Sequence, residues 1–340
     1  MVTKIAINGF GRIGRATFKA ALENKNLEVV ALNDLMDNKL LAHLLQYDTA
    51  YGLYHRKVLP TKNGIKIDGK EYLVFHEAEP AKLPWKKFAV EVLLECTGRF
   101  KTKKDASGHL KAGAKRIIIS APAKDNTQTL VYGTKHTGDC VKKDSCDDIV
   151  SMASCTTNCI SPVIQVLESK FGVEKALMTT IHSYTSTQNL VDGPNKDLRR
   201  TRAAALNMIP TTTGAAEATT KVVPGVKNMF DGIAIRVPTI TGSLSDITAV
   251  LKRKKVTVKQ INDEFKTATK HPLYKNILAV SSKPLVSSDY IGNPYSATVD
   301  LEFTRVVGGN LVKILAWYDN EYAYSLRLTE MAEQVGRLTK

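Results

Sequence analysis

A short apolar run, Thr3-Lys4-Ile5-Ala6-Ile7-Asn8, leads directly into Gly9-Phe10-Gly11-Arg12-Ile13-Gly14. Apolar positions Ile13, Ala16, Ala20 and Ala21 then recur at helical spacing. A second apolar run, Leu27 to Leu32, ends in Asn33-Asp34, which places Asp34 20 residues beyond Gly14. Strand, GxGxxG, helix, strand and acid in this order form the dinucleotide fingerprint, and each part has a physical job. Gly9 permits the tight turn, Gly11 lets backbone approach a pyrophosphate, and Gly14 lets the helix pack closely on its strand. The helix start, with Arg12 and Ile13, offers unpaired N–H groups to phosphate. Asp34 can accept both ribose hydroxyls of NAD, and its charge repels the 2′-phosphate of NADP. A glycine-rich turn alone can be merely structural, but here strand, helix and acid are all in register.

Two more apolar runs end in small residues, Val92 to Glu95 before Cys96-Thr97-Gly98 and Arg116 to Ile119 before Ser120-Ala121-Pro122. Near-continuous apolar strands suit a buried parallel sheet with ligand at its carboxyl edge, so Thr97, Gly98 and Ser120 join the candidate cofactor residues. Cys96 reads as a packed residue near the cofactor, not a nucleophile. At 340 residues the chain is long for one core, so two domains are expected. No apolar run approaches the roughly 20 residues that span a bilayer, and no signal-type core opens the chain, so a soluble cytoplasmic protein is expected. Five widely spread cysteines make reduced thiols the expectation, with Cys140 and Cys146 as bystanders and no metal site.

The net charge of +15 divides into +8 over residues 1–150 and +7 over 151–340, so it is spread and not gathered in a tail. Its densest run, Lys252-Arg253-Lys254-Lys255, lies between a strand-like and a helix-like stretch and reads as a solvated turn. Nucleic acid is not expected as a partner, because no binding signature accompanies the run.

Chemistry is concentrated after residue 150. Ser154-Cys155-Thr156-Thr157-Asn158-Cys159 precedes a helical pattern with Val163, Val166, Leu167 and Phe171, so Cys155 lies at or near a helix start. Dipole and free N–H groups there favour a thiolate. Pro162 requires the helix either to start late or to leave a carbonyl free near Asn158. Cys159, one turn on, reads as a buried structural thiol. Ala176 to Thr185 reads as a strand ending at His182, a candidate base for a Cys–His pair, although spacing alone equally allows a satisfied polar residue.

Six segments decide between these readings: Asn8 to Arg15, Ser154 to Cys159, His182 to Thr185, Pro210 to Ala216, Arg236-Val237-Pro238 and Trp317 to Glu321. In content and order they resemble the glyceraldehyde-3-phosphate dehydrogenase family over nearly the whole chain. The resemblance implies an α/β fold: a Rossmann-type doubly wound parallel sheet domain over 1–153, then an α+β catalytic domain with a mixed sheet over 154–321. A helix at 322–340 would pack back on the first domain. It implies a glycolytic and gluconeogenic oxidoreductase in which Cys155 attacks an aldehyde, His182 moves the protons, NAD accepts hydride, and inorganic phosphate cleaves a thioester to 1,3-bisphosphoglycerate. The oxyanion would be held by the Cys155 N–H and His182.

Asn320 is similar to the residue that fixes the nicotinamide amide. Thr185 and Arg236 match a site for the substrate phosphate. Ser154, Thr156, Thr213 and Gly214 match one for the attacking phosphate, since arginine and hydroxyl donors suit phosphate. A further arginine is Arg200, or Arg202 if the register slips, and its bland reading is a salt-bridged interface loop. The unpatterned stretch from about 186 to 209 corresponds to a loop between subunits, which implies a homotetramer. Two residues depart from the family pattern. Ala78 stands where an arginine near adenine is common, which predicts weaker adenine binding. Ala323 replaces a glycine, which would disturb Asn320 if that glycine has positive φ. The alternative activity is an erythrose-4-phosphate dehydrogenase, which delivers the acyl group to water. Nucleic-acid binding is a distant alternative supported only by charge.

Overall fold

The computed structural model describes residues 2–338, and its chain divides into two compact units. Among the described residues, the first comprises 2–130, 139–153 and 324–338, and the second 131–138 and 154–323.

The first unit is built on a nine-stranded sheet. In spatial order its strands are Gln128–Thr129, Ile149–Ser151, Arg116–Ile119, Val92–Glu95, Thr3–Asn8, Leu27–Asn33, Lys70–Phe75, Gly64–Ile67 and Val58–Pro60. The first seven pair in parallel, and the last two add an antiparallel edge. Central strands carry apolar residues on both faces, and Ile5, Ile7, Leu93, Leu94, Ile117 and Ile118 are wholly buried, as a sheet covered on both sides requires. Helix Arg12–Glu23 follows the glycine turn and buries Phe18 and Ala21. Two glycines make this turn possible. Gly9 has φ +93° and a Cβ there would lie 2.6 Å from the Thr97 nitrogen, while a Cβ on Gly14 would lie 2.0 Å from the Gly9 carbonyl oxygen.

The closing helix, Tyr322–Arg337, belongs to the first unit from Tyr324 onward. Glu333 on it accepts hydrogen bonds from Asn24 and Asn26, and the Tyr324 hydroxyl donates to the Ala153 carbonyl. Thr339 and Lys340, the end of the expected helix, lie outside the described residues. Cys140 and Cys146 are joined by a disulfide with Cα atoms 5.5 Å apart, which corrects the expectation of reduced thiols at these two positions. An odd cysteine count carries no information about which pairs meet in space.

The second unit holds a seven-stranded mixed sheet in the order Ile209–Thr212, Phe230–Val237, Val173–Ser183, Ser243–Leu251, Leu311–Tyr318, Ala297–Val307 and Leu278–Ser281. Residues along Ser243–Leu251 alternate between buried and half-buried, the pattern of a sheet with one packed face. Helix Cys155–Phe171 contacts this sheet and buries twelve of its residues. It starts at Cys155 and runs through Pro162, so the helix does not start late, and residue 162 donates no N–H to the Asn158 carbonyl. The basic run is a turn. Lys254 lies 3.6 Å from Glu174, and the Arg253 guanidinium lies over the Phe171 ring.

Candidate active site

In the first unit a cavity of about 270 Å³ opens at the carboxyl ends of the parallel strands, lined by Gly9, Gly11, Asp34, Ala78, Cys96 and Thr97 among others. Asp34 ties its wall together by accepting from the Phe10 N–H at 2.6 Å and the Met36 N–H at 2.9 Å. Helix Arg12–Glu23 begins at Gly11 with no side-chain cap, and nothing lies within 4 Å of where a Gly11 Cβ would be. The glycine therefore leaves room at the helix start for a ligand atom to approach the backbone, which is what an incoming pyrophosphate needs. Arg12 is anchored to Asp48 at 2.7 Å, Ile13 is half-buried on the same turn, and Gly98 follows Thr97 with φ +67°. The Ser120 N–H donates to the Glu95 carbonyl. Burial pushes the Cys96 thiol up to about 12, although Ser120 pulls the other way, so this sulfur stays protonated near neutral pH.

The second unit gathers its chemistry where helix and sheet meet. Ser154 caps the helix by accepting from the Thr157 N–H at 3.0 Å, and Cys155 is the first helical residue. Its Sγ lies 3.4 Å from Nε2 of His182, at the end of strand Val173–Ser183. The neighbouring strand is parallel and pairs His182 with Arg236. Arg236 Nη1 thereby comes within 2.7 Å of His182 Nδ1 and donates to the Ser183 carbonyl at 2.9 Å. That carbonyl also lies 2.7 Å from His182 Nδ1. Nη1 can only donate and the Ser183 carbonyl can only accept, so the two make opposite demands on Nδ1, while Nε2 is the ring nitrogen that faces the Cys155 sulfur.

Electrostatics follow from burial. It pushes the His182 imidazole down to about 3, with the Arg236 cation adding to the effect and the Ser183 carbonyl opposing it. Burial also pushes the Cys155 thiol up, while Arg236 and the Thr156 N–H pull it down. The stabilisation expected from the helix start is thus present but outweighed by burial. Tyr318 lies beneath the pair with its hydroxyl 2.9 Å from Thr156 Oγ1 and 2.8 Å from Thr180 Oγ1, and its ring edge-on to His182. Burial pushes its phenol up, so it remains neutral.

The remaining expected residues occupy separate places. Thr185 Oγ1 lies 2.8 Å from Thr187 Oγ1 in the following loop. Arg200 donates to Thr211 at 3.0 Å and lies 3.4 Å from Asp197, while Arg202 pairs with Asp192 at 2.7 Å. Arg200 and Arg202 are therefore both salt-bridged. The charge of Arg200 is nevertheless felt at Arg236, whose guanidinium is pushed down mainly by burial and further by Arg200. Thr213 Oγ1 accepts from the Ala215 N–H, and Gly214 is the N-cap of helix Ala215–Val222, with nothing near its missing Cβ.

Asn320 Oδ1 accepts from Ser243 at 2.8 Å, with Thr241 Oγ1 at 3.3 Å. Asp319 accepts from Thr241 and from the N–H groups of Glu321 and Tyr322, so the Asp319-Asn320 turn is held from several sides. Ala323 is helical and is not among the residues with positive φ, so replacing glycine strains nothing here. Tyr318, Thr241 and Ser243 escaped the sequence reading. Tyr318 was signalled only by its place within the Trp317 to Glu321 segment, and the two hydroxyl residues carried no signal.

A dinucleotide-type unit and a mixed-sheet unit bearing a Cys–His pair beside a half-buried arginine define a class, the oxidoreductases that pair a nicotinamide cofactor with a cysteine nucleophile. Comparison with known proteins narrows it. Residues 3–103 match the family described as glyceraldehyde 3-phosphate dehydrogenase, NAD binding domain, and residues 154–320 match its C-terminal domain. The chain is 52% identical over 332 residues to glyceraldehyde-3-phosphate dehydrogenase 1 of Bacillus cereus, covering 97% of this chain and 98% of that protein. It is 47% identical over 339 residues to glyceraldehyde-3-phosphate dehydrogenase of Geobacillus stearothermophilus, covering 98% of each. Against glyceraldehyde-3-phosphate dehydrogenase 1 of Bacillus subtilis (strain 168) it is 48% identical over 338 residues, covering 99% of each. The chain belongs to the glyceraldehyde-3-phosphate dehydrogenase family.

Proposed function

We propose that this chain oxidises D-glyceraldehyde 3-phosphate with NAD and captures the acyl group on inorganic phosphate, yielding 1,3-bisphosphoglycerate. The single observation that carries the reading is the Cys155–His182 contact with Arg236 beside it. The first unit fits NAD, because the open helix start at Gly11 suits a pyrophosphate and the Asp34 carboxylate suits an unphosphorylated ribose. Gly9, Gly11, Arg12, Ile13, Gly14, Asp34, Thr97, Gly98 and Ser120 are the proposed contacts. Asn320, with its amide oxygen engaged by Ser243, has its Nδ2 to offer a carboxamide. When bound, NAD supplies the hydride acceptor.

Cys155 Sγ attacks the aldehyde carbon as its proton passes to His182 Nε2, and the imidazolium hands that proton to the new alkoxide oxygen, giving a thiohemiacetal and a neutral imidazole. His182 then takes the hydroxyl proton as hydride leaves, and a thioester remains on Cys155. A developing oxyanion is stabilised by the helix-start N–H of Cys155 and by His182. Arg236, Arg200 and Thr185 form the proposed substrate-phosphate site, and Ser154, Thr156, Thr213 and Gly214 the site of the attacking phosphate. Two arginines that raise each other's free energy are relieved when an anion arrives, which supports phosphate as the ligand.

Omitting inorganic phosphate separates this reading from transfer to water. Steady-state NADH production should stop after the first turnover without phosphate, and an undiminished rate would favour the hydrolytic enzyme. A homotetramer is proposed because the loop at 186–209 exposes Leu190, Leu198, Leu206 and Met208, each at least 75% accessible. No helix among the described residues is long and apolar enough to cross a membrane, and the cytoplasm is the proposed location.

A further inference from the structure

Beneath the dinucleotide cavity of the first unit lies a polar network that the mechanism leaves unused. Asn8, Asn33 and Glu95 end three neighbouring parallel strands, with Asn8 in register with both of the others. All three are at most 4% exposed, and the adjacent Trp85 and His109 are fully buried. Glu95 Oε2 receives Asn8 Nδ2 at 2.5 Å and lies 3.1 Å from His109 Nε2. Its Oε1 accepts from the Thr97 N–H at 2.8 Å and from the Thr97 hydroxyl. Asn8 Oδ1 accepts from Asn33 Nδ2, and Asn33 bonds both the N–H and the carbonyl of Glu77.

Donor bookkeeping fixes the chemistry of this cluster. An indole N–H can only donate, and Trp85 Nε1 lies 3.0 Å from His109 Nδ1, so Nδ1 accepts. His109 is therefore the neutral tautomer with its proton on Nε2, donating to Glu95. Asn8 Nδ2, 3.3 Å from that same nitrogen, is then a contact between two donors, each aimed at the carboxylate. Every partner of Glu95 is a donor, so the side chain must be an acceptor at both oxygens, which only a carboxylate is. Such a cluster has one satisfied arrangement.

The network meets the cofactor cavity at both walls. Thr97 and Glu77 line it, and Gly9 packs with so little room that a Cβ there would lie 2.6 Å from the Thr97 nitrogen and 2.7 Å from the Cys96 carbonyl carbon. Wherever Glu95 sets the Thr97 backbone, the glycine turn must follow. We propose that Glu95, oriented by His109 and Trp85, is a positioning residue for NAD binding, fixing the Thr97 turn against Gly9 and linking it through Asn8 and Asn33 to the Glu77 wall. This deepens the cofactor site proposed above and rests on it.

The test is NAD affinity by calorimetry on the full chain, together with steady-state kinetics. Glu95→Gln turns one acceptor into a donor facing donors. It should weaken NAD about tenfold, about 1.4 kcal/mol, and raise KM for NAD while kcat at saturating NAD stays within about twofold. His109→Leu should show the same split, whereas His109→Gln, which can still give Glu95 an N–H, should restore most of the affinity. The rate of Cys155 alkylation should be unchanged in all three, a reading that general unfolding would move. If Glu95→Gln fails to fold, His109→Leu against His109→Gln decides. NAD affinity within twofold of the parent protein in the folded variants, or a loss of kcat without loss of affinity, would overturn the proposal. Failure of the parent protein to bind NAD would instead overturn the cofactor reading.

Discussion

Cys155 and His182 reach each other because a helix start and a strand end are brought together, and Arg236 lies beside His182 because the strands beneath are parallel and in register. Arg236 acts on the two partners in opposite senses of charge. It favours the sulfur anion and disfavours the imidazolium. Removing it should therefore raise both the Cys155 and the His182 pKa. For Arg236→Ala the pH profile of iodoacetamide inactivation is expected to move to higher pH, and a move to lower pH would contradict this electrostatic account. His182→Asn keeps a polar group but no base, and the oxidation rate should fall by roughly 10²–10⁴-fold with NAD affinity retained. Steady-state rates and NAD titration check both halves of that statement.

Among the elements, the glycine turn and its parallel strands were readable because their chemistry is local. The strands are apolar through their middles, Gly9 and Gly14 are demanded by nearby backbone, and Asp34 follows at a fixed distance. Cys155 at a helix start was readable for the same reason. Features joined only in space were not. The Cys140–Cys146 disulfide, the Arg236–His182 adjacency and the Glu95–His109 contact all depend on pairings that no spacing along the chain encodes. Ala323 shows the reverse case, since a departure that looked harmful sits inside a helix and is 2% exposed. Ala323→Gly should therefore destabilise, by about 1 kcal/mol from helix propensity. A fall in Tm of a few degrees is expected by calorimetry, and a rise would show that glycine fits this turn better.

For the whole molecule, charge and exposed apolar surface make separate claims. The +15 charge is distributed, and its densest run is tied down by Glu174 and Phe171. The exposed side chains of loop 186–209 call for covering, so light scattering after size exclusion should give a mass four times that of one chain. A monomer at micromolar concentration would remove the proposed role of that loop. The central claim is covalent catalysis through one sulfur. Its most direct test mixes the protein with NAD and glyceraldehyde 3-phosphate in the absence of inorganic phosphate, then follows NADH and the mass of the Cys155 peptide. A burst of about one NADH per chain should accompany an acyl adduct on Cys155, and added phosphate should release it. A burst without that adduct, or a full burst from Cys155→Ser, would contradict the account.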